Sequence, residues 1–144
     1  MHFTVDLSAS IRPDEAFRRV LDLRAHNRVI PLTTVRPALP AEDLRPGSRF
    51  VARTGIGVLG FDDLMRVESI TVGDPTEPAS AVIVKEGRVI RGTIRLRITP
   101  TPAGCRLIWQ QQVRLPWLPR FLQPLAAQAL RRAYRRVLER LLAR

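Results

Sequence analysis

Residues 119–144, PRFLQPLAAQALRRAYRRVLERLLAR, constrain the fold more tightly than any other stretch of the chain. Leu122, Ala126, Ala129, Ala133, Val137 and Leu141 follow one another at steps of three or four, and Leu130 and Tyr134 widen the same side. At ~100° per residue these positions share one face of an α-helix, whereas Gln128, Arg131, Arg132, Arg135 and Glu139 fall on the other. The spacing predicts an amphipathic helix. A helix this apolar on one side is not stable alone in water, so the rest of the chain must supply a surface that covers it.

That surface is predicted to be a sheet. Phe3, Val5 and Leu7 alternate with Thr4 and Asp6, as in a half-buried strand. Pro13 followed by Asp14 and Glu15 marks a helix start, and Ala16, Phe17, Val20, Leu21 and Leu23 carry its apolar side. A second short helix is expected from Arg24 to Val29, ending before Pro31. Strands are then expected over 32–36, 48–54, 61–71, 80–86, 89–99 and 105–114. Between them stand a Pro-rich loop at 37–47, the glycine-rich loop GIGVLG at 55–60 and a turn at Gly73-Asp74-Pro75. Turns rather than helices join these strands, so the sheet must be antiparallel and the chain α+β. About seven strands with one long helix curl around that helix, and the gap between the two is the candidate functional site.

A chain of 144 residues with 45% hydrophobic content suits one domain, 1–144, with a sizeable core. No apolar run approaches the ~20 residues of a membrane span. The opening MHFTVDLSAS lacks both the basic and the apolar region of a secretory signal, and Cys105 is the only cysteine. Both fit a reducing cytoplasm. One cysteine with His2 and His26 offers no metal cluster, and no cofactor is expected. The net charge is +11, and residues 119–144 hold seven arginines against Glu139. That basic face is expected to be solvated, since arginine forms helices well and its charge suits a helix C-terminus. No zinc or helix-turn-helix spacing supports a specific nucleic-acid partner. Lys85 is the only lysine among 24 basic side chains, so arginine is the general cation of the chain.

The order of elements resembles the helix-grip fold of the START-like (SRPBCC) superfamily. That superfamily includes polyketide cyclases, birch-pollen-allergen-like proteins and lipid-transfer domains. Local sequence is similar too: Pro13-Asp14-Glu15 before Phe17, Asp22 with His26 four residues later, Gly47 before Phe50, Phe61-Asp62-Asp63-Leu64-Met65, Gly87 through Gly92, and Gly104 to Trp109. The likeness spans the whole chain, but these segments keep a fold and none is a catalytic signature. It implies a curved sheet of about seven strands around the C-terminal helix, with two short helices after the first strand. It also implies a cavity between sheet and helix that accepts an apolar small molecule and often opens near the second short helix, where His26 lies.

Alternation assigns the strand faces. Phe50, Ala52 and Thr54 are expected inward, as are Phe61, Asp63, Met65 and Val67, then Ile90 to Ile98 in steps of two, and Leu107, Trp109, Gln111, Val113 and Leu115. Asp63 and Gln111 are thus polar residues on apolar faces. Asp63 either anchors or protonates a ligand, or accepts hydrogen bonds from amides of the glycine-rich loop or from an arginine. A bulge at that loop would exchange Asp62 for Asp63. Gln111 suits a ligand hydroxyl or carbonyl, and equally the backbone or Tyr134. Phe50, Met65 and Trp109 are candidate walls, and Ala129 and Ala133 either bring the helix close to the sheet or leave volume for a ligand. His26 is read either as a surface group or as a catalytic one. Two functions follow: binding of an apolar, ring-bearing or lipid-like molecule, or a cyclase/dehydratase in which Asp63 or His26 moves protons.

Overall fold

Inward and outward side chains alternate along seven strands, and the sheet they form curls round a single long helix. The structure is a computed structural model, and it describes residues 1–56, 58–74 and 76–143. Gly57 of the glycine-rich loop, Pro75 of the expected turn and Arg144 of the basic helix lie outside those residues. The strands are β1 (His2–Ala9), β2 (Thr33–Arg36), β3 (Arg49–Ile56), β4 (Leu59–Thr71), β5 (Ala79–Glu86), β6 (Arg91–Thr101) and β7 (Gly104–Arg114). The helices are α1 (Pro13–Val20), α2 (Leu23–Val29) and α3 (Gln123–Leu142). The sheet order is β1-β7-β6-β5-β4-β3-β2 and every neighbouring pair is antiparallel.

The expected helix-grip architecture is the observed one, with differences of detail. The segment predicted as the loop GIGVLG is mostly ladder: Gly55 pairs with Gly60 and Ile56 with Leu59. Glycine is what permits this. Gly55 has φ +147°, and a Cβ there would stand 2.2 Å from the Leu59 carbonyl oxygen. The β5–β6 connection is longer than the expected Gly87-Arg88 turn, since Glu86 pairs with Arg91. The ladder between β4 and β5 shifts register between Val67 and Ser69.

The core lies on the concave face and is solid at one end. There Leu138, Leu141 and Leu142 of α3 are buried with Phe17 and Val20 of α1 and with Leu96, Ile98 and Leu107 of the sheet. Arg19 Nη1 donates to the Leu142 carbonyl at 2.7 Å, which satisfies one of the orphan carbonyls of the helix end. Arg131 Nε donates to the Thr4 carbonyl at 2.9 Å and ties α3 to the edge strand β1. On the far edge, the Asn27 side chain bonds both the N–H and the C=O of Val35, standing in for the strand that β2 lacks. That clamp fixes α2 beside β2. Between these two anchored edges, α3, α2 and the sheet enclose a cavity.

The apolar face of α3 is rotated from the expected one. Its buried side centres on Leu130, Tyr134, Leu138 and Leu141, while Ala129 is exposed. A stripe of alanines and a stripe of leucines adjoin on this helix, and the larger side chains take the core because they remove more apolar area from water.

Candidate functional site

A cavity of about 200 Å³ opens between α3, the sheet and α2. The sheet contributes the inward residues of β3 (Phe50, Ala52, Thr54), Asp63 and Met65 of β4, Ile83 of β5, Ile94 of β6 and Trp109 of β7. His26 and Ile30 border it beside α2, Thr33 and Val35 line it from β2, and Ala133, Tyr134 and Val137 from α3. A cavity of ~150 Å³ lined by apolar side chains suffices for benzene in another protein, so this one admits a small ring-bearing molecule.

The polar end of the cavity is marked by Asp63, whose buried ion-pair partner sequence reasoning missed. Lys85 Nζ donates to Asp63 Oδ2, with Lys85 3% and Asp63 7% exposed. The same nitrogen stands 3.7 Å from Met65 Sδ. Burial pulls the Lys85 ammonium toward neutrality, but the Tyr134 phenol and the Asp63 carboxylate more than offset this, and its pKa lies above the ordinary lysine value. Lys85 is thereby held as an ammonium beside the Asp63 carboxylate. Its neighbour across the ladder is Gly92, where a Cβ would lie 1.8 Å from the Gln112 carbonyl oxygen. The second carboxylate oxygen, Asp63 Oδ1, is buried and meets no hydrogen-bond partner among the described residues.

Asp63 thus faces inward as its parity predicts, and Asp62 stays outside on Arg53. Its partner is neither a backbone amide nor an arginine, which corrects the expectation. The signal for Lys85 was present: it is the sole lysine and shares the parity of Ala81 and Ile83, both buried. Phe50, Met65, Trp109, Ala133 and His26 all line the cavity, but Ala129 and Gln111 do not. Ala129 points to solvent. Gln111 is buried, and its Oε1 accepts from the Trp109 indole N–H at 3.0 Å. Trp109 in turn packs on Tyr134 with ring centroids 5.6 Å apart, and Tyr134 on Phe3 at 5.5 Å. This aromatic row fixes the phenol of Tyr134 at the polar end. Helical spacing puts Tyr134 on the apolar side of α3 but does not mark it as a cavity residue, which it is.

His26 is not a free surface group. Its Nε2–H donates to the Val20 carbonyl at 2.8 Å, leaving Nδ1 as the acceptor in the neutral ring. Burial lowers its pKa, outweighing the Val20 carbonyl and the Asp22 carboxylate, which raise it. A group depressed in the folded state contributes stability that is present above its unfolded value, ~6.5, and is lost as pH falls through the folded one. Urea midpoints measured between about pH 7.5 and about pH 5.5 will therefore fall more for the wild type than for His26→Leu. Equal losses would place the histidine charge in water. Among the described residues no three His, Cys, Asp or Glu side chains converge as a metal site needs.

A family model described as polyketide cyclase / dehydrase and lipid transport matches residues 1–144. No curated protein matches the chain. Among solved structures, a protein of Thermus thermophilus superposes with a TM-score of 0.71 at 14% identity, covering 99% of this chain and 95% of that one. A protein of Rhizobium loti gives 0.71 at 18% identity, again over 99% and 95%. Ara h 8.0201 gives 0.64 at 12% identity over 100% and 99%. At these identities the structures are similar in fold alone.

Proposed function

The chain belongs to the polyketide cyclase / dehydrase and lipid transport family, and within it we propose that this protein is a binding module for an apolar, ring-bearing or lipid-like molecule that carries a hydrogen-bond donor at one end. The observation that carries this reading is Asp63 Oδ1, a buried acceptor on the wall of an otherwise apolar cavity with no partner among the described residues. Leaving such an acceptor unmet costs about 1–3 kcal/mol, which a ligand hydroxyl would recover on binding. The ammonium of Lys85 holds the other oxygen and keeps the carboxylate oriented, so Asp63 is set to accept rather than to wander.

The alternative is a cyclase or dehydratase working in the same cavity. It is favoured by His26, whose lowered pKa keeps a neutral imidazole on the cavity wall. Displacement of a hydrophobic fluorophore tests the first reading with a matched pair, 2-naphthol and its methyl ether. The naphthol is expected to bind at least about tenfold tighter, the discrimination of one satisfied buried acceptor. Equal affinities would remove Asp63 from recognition. Turnover of a polyketide-like substrate that is lost in His26→Leu would move the enzyme to first place.

A further inference from the structure

Strand direction brings the ends of β3, β5 and β7 and the starts of β4 and β6 to one end of the sheet. This end is apolar and exposed. Ile56 and Leu59 pair at the tip of the β3–β4 hairpin, on the ladder face that further in carries Thr54 of the cavity wall, and Val58 lies between them. Leu32 joins them through its carbonyl, which accepts from Gly55 N–H at 2.9 Å. Beyond β7, Trp117 donates its indole N–H to the Val89 carbonyl in the β5–β6 connection at 3.1 Å, and Phe121 follows just before α3 and Leu125 in its first turn. All seven side chains are 62–95% exposed. Isolated exposed apolar residues need no explanation, but a set gathered at one end of a domain does.

Charge says what this end meets. Arg88, Arg91, Arg114 and Arg120 surround the Trp117 side, are exposed, and form no ion pair among the described residues. The acids near the same end, Asp62 and Glu86, are already paired with Arg53 and Arg66. At the opposite end, Asp14, Glu42, Asp74 and Glu77 line a common recess, and Arg18 beside them is paired with Glu15. The end that carries the hairpin tip is thus both apolar and cationic, on a chain of net charge +11.

The geometry points to an anionic lipid bilayer as the partner: the protein docks hairpin-first, with Ile56, Val58, Leu59 and Phe121 entering the headgroup region and the arginines resting on it. No helix among the described residues is long and apolar enough to cross a membrane, so the contact is superficial. An aromatic or aliphatic tip inserts into the interface while arginine attracts acidic headgroups, each charge near the surface strengthening binding about fivefold. Docking in this way sets the hairpin that carries Thr54 of the cavity wall against the lipid.

Vesicle co-sedimentation of the full chain tests it, with phosphatidylcholine alone and with about 30% phosphatidylglycerol added, at about 0.15 M salt. Sedimentation is expected with the anionic vesicles only. Trp109 is buried and Trp117 exposed, so the emission of Trp117 should shift to the blue on binding. Val58→Ser with Leu59→Ser and Phe121→Ser should weaken binding at least about tenfold, and Arg88→Glu with Arg120→Glu likewise. Asp74→Asn with Glu77→Gln, at the far end, should leave it unchanged. No sedimentation, or sedimentation untouched by the hairpin variant, overturns the proposal. So does a concentration-dependent dimer that the hairpin variant abolishes, since the apolar end would then meet a second copy.

Discussion

Lys85→Met will destabilise the protein by about 3–5 kcal/mol, and adding Asp63→Leu to it will restore most of the loss. The pair is almost wholly withdrawn from water, with side chains 1% and 9% exposed. Removing the ammonium leaves a carboxylate in an apolar cavity with neither oxygen satisfied, whereas removing both charges leaves a packed hydrophobic site. For a chain of this size, each kcal/mol shifts Tm by roughly 2–4 °C, so the single variant is visible by calorimetry as well as by urea titration. Lys85→Arg should not rescue it. The guanidinium is larger and planar, and overpacking a buried site costs about 1–3 kcal/mol. The tight fit at this buried position accounts for a lone lysine in a chain that otherwise uses arginine. A Lys85→Met protein within about 1 kcal/mol of the wild type would show that the ion pair carries none of the stability assigned to it.

Ala52→Phe will lower the affinity for an apolar fluorophore by about a hundredfold or more while the fold survives. Ala52 is buried on the inner face of β3, directly across the ladder from Asp63, and its methyl group borders the cavity. A benzyl group there occupies much of the space of about 200 Å³ that a ligand would take. Because it fills a void rather than displacing packed atoms, stability should hold to within about 1 kcal/mol or rise. Ala133→Phe at the rim should weaken binding less, and Ala129→Phe on the exposed side of α3 not at all. Unaltered affinity in Ala52→Phe would put the binding site elsewhere.

The difference between Ala129 and Ala133 marks how far periodicity reaches. Both belong to one apolar stripe at three- and four-residue spacing, yet only Ala133 borders the cavity. A helix stripe is broad, and which of its edges faces the core depends on what packs there. Here Leu130, Tyr134 and Leu138 outcompete the alanines for the sheet. Strand parity has no such freedom. With a period of two, a residue is on one face or the other, and Phe50, Asp63, Met65, Trp109 and Gln111 all lie on the inward face that alternation assigns to them.

What the inward polar residues bond to was beyond the same reasoning. Gln111 is held by Trp109 two positions away on its own strand, a pair that parity allows but does not select over Tyr134 or the backbone. Asp63 is held by Lys85, 22 residues on, and that meeting requires the β4–β5 register, including its shift between Val67 and Ser69. The amino-acid order by itself determined the strands, their faces, the antiparallel curl and the amphipathic closing helix, because each follows from local spacing and from turn residues. Only the tertiary structure decided the rotation of that helix, the ion pair at the polar end and the size of the cavity. These depend on which side chains meet across elements distant in sequence, and packing settles that by volume and desolvation rather than by period.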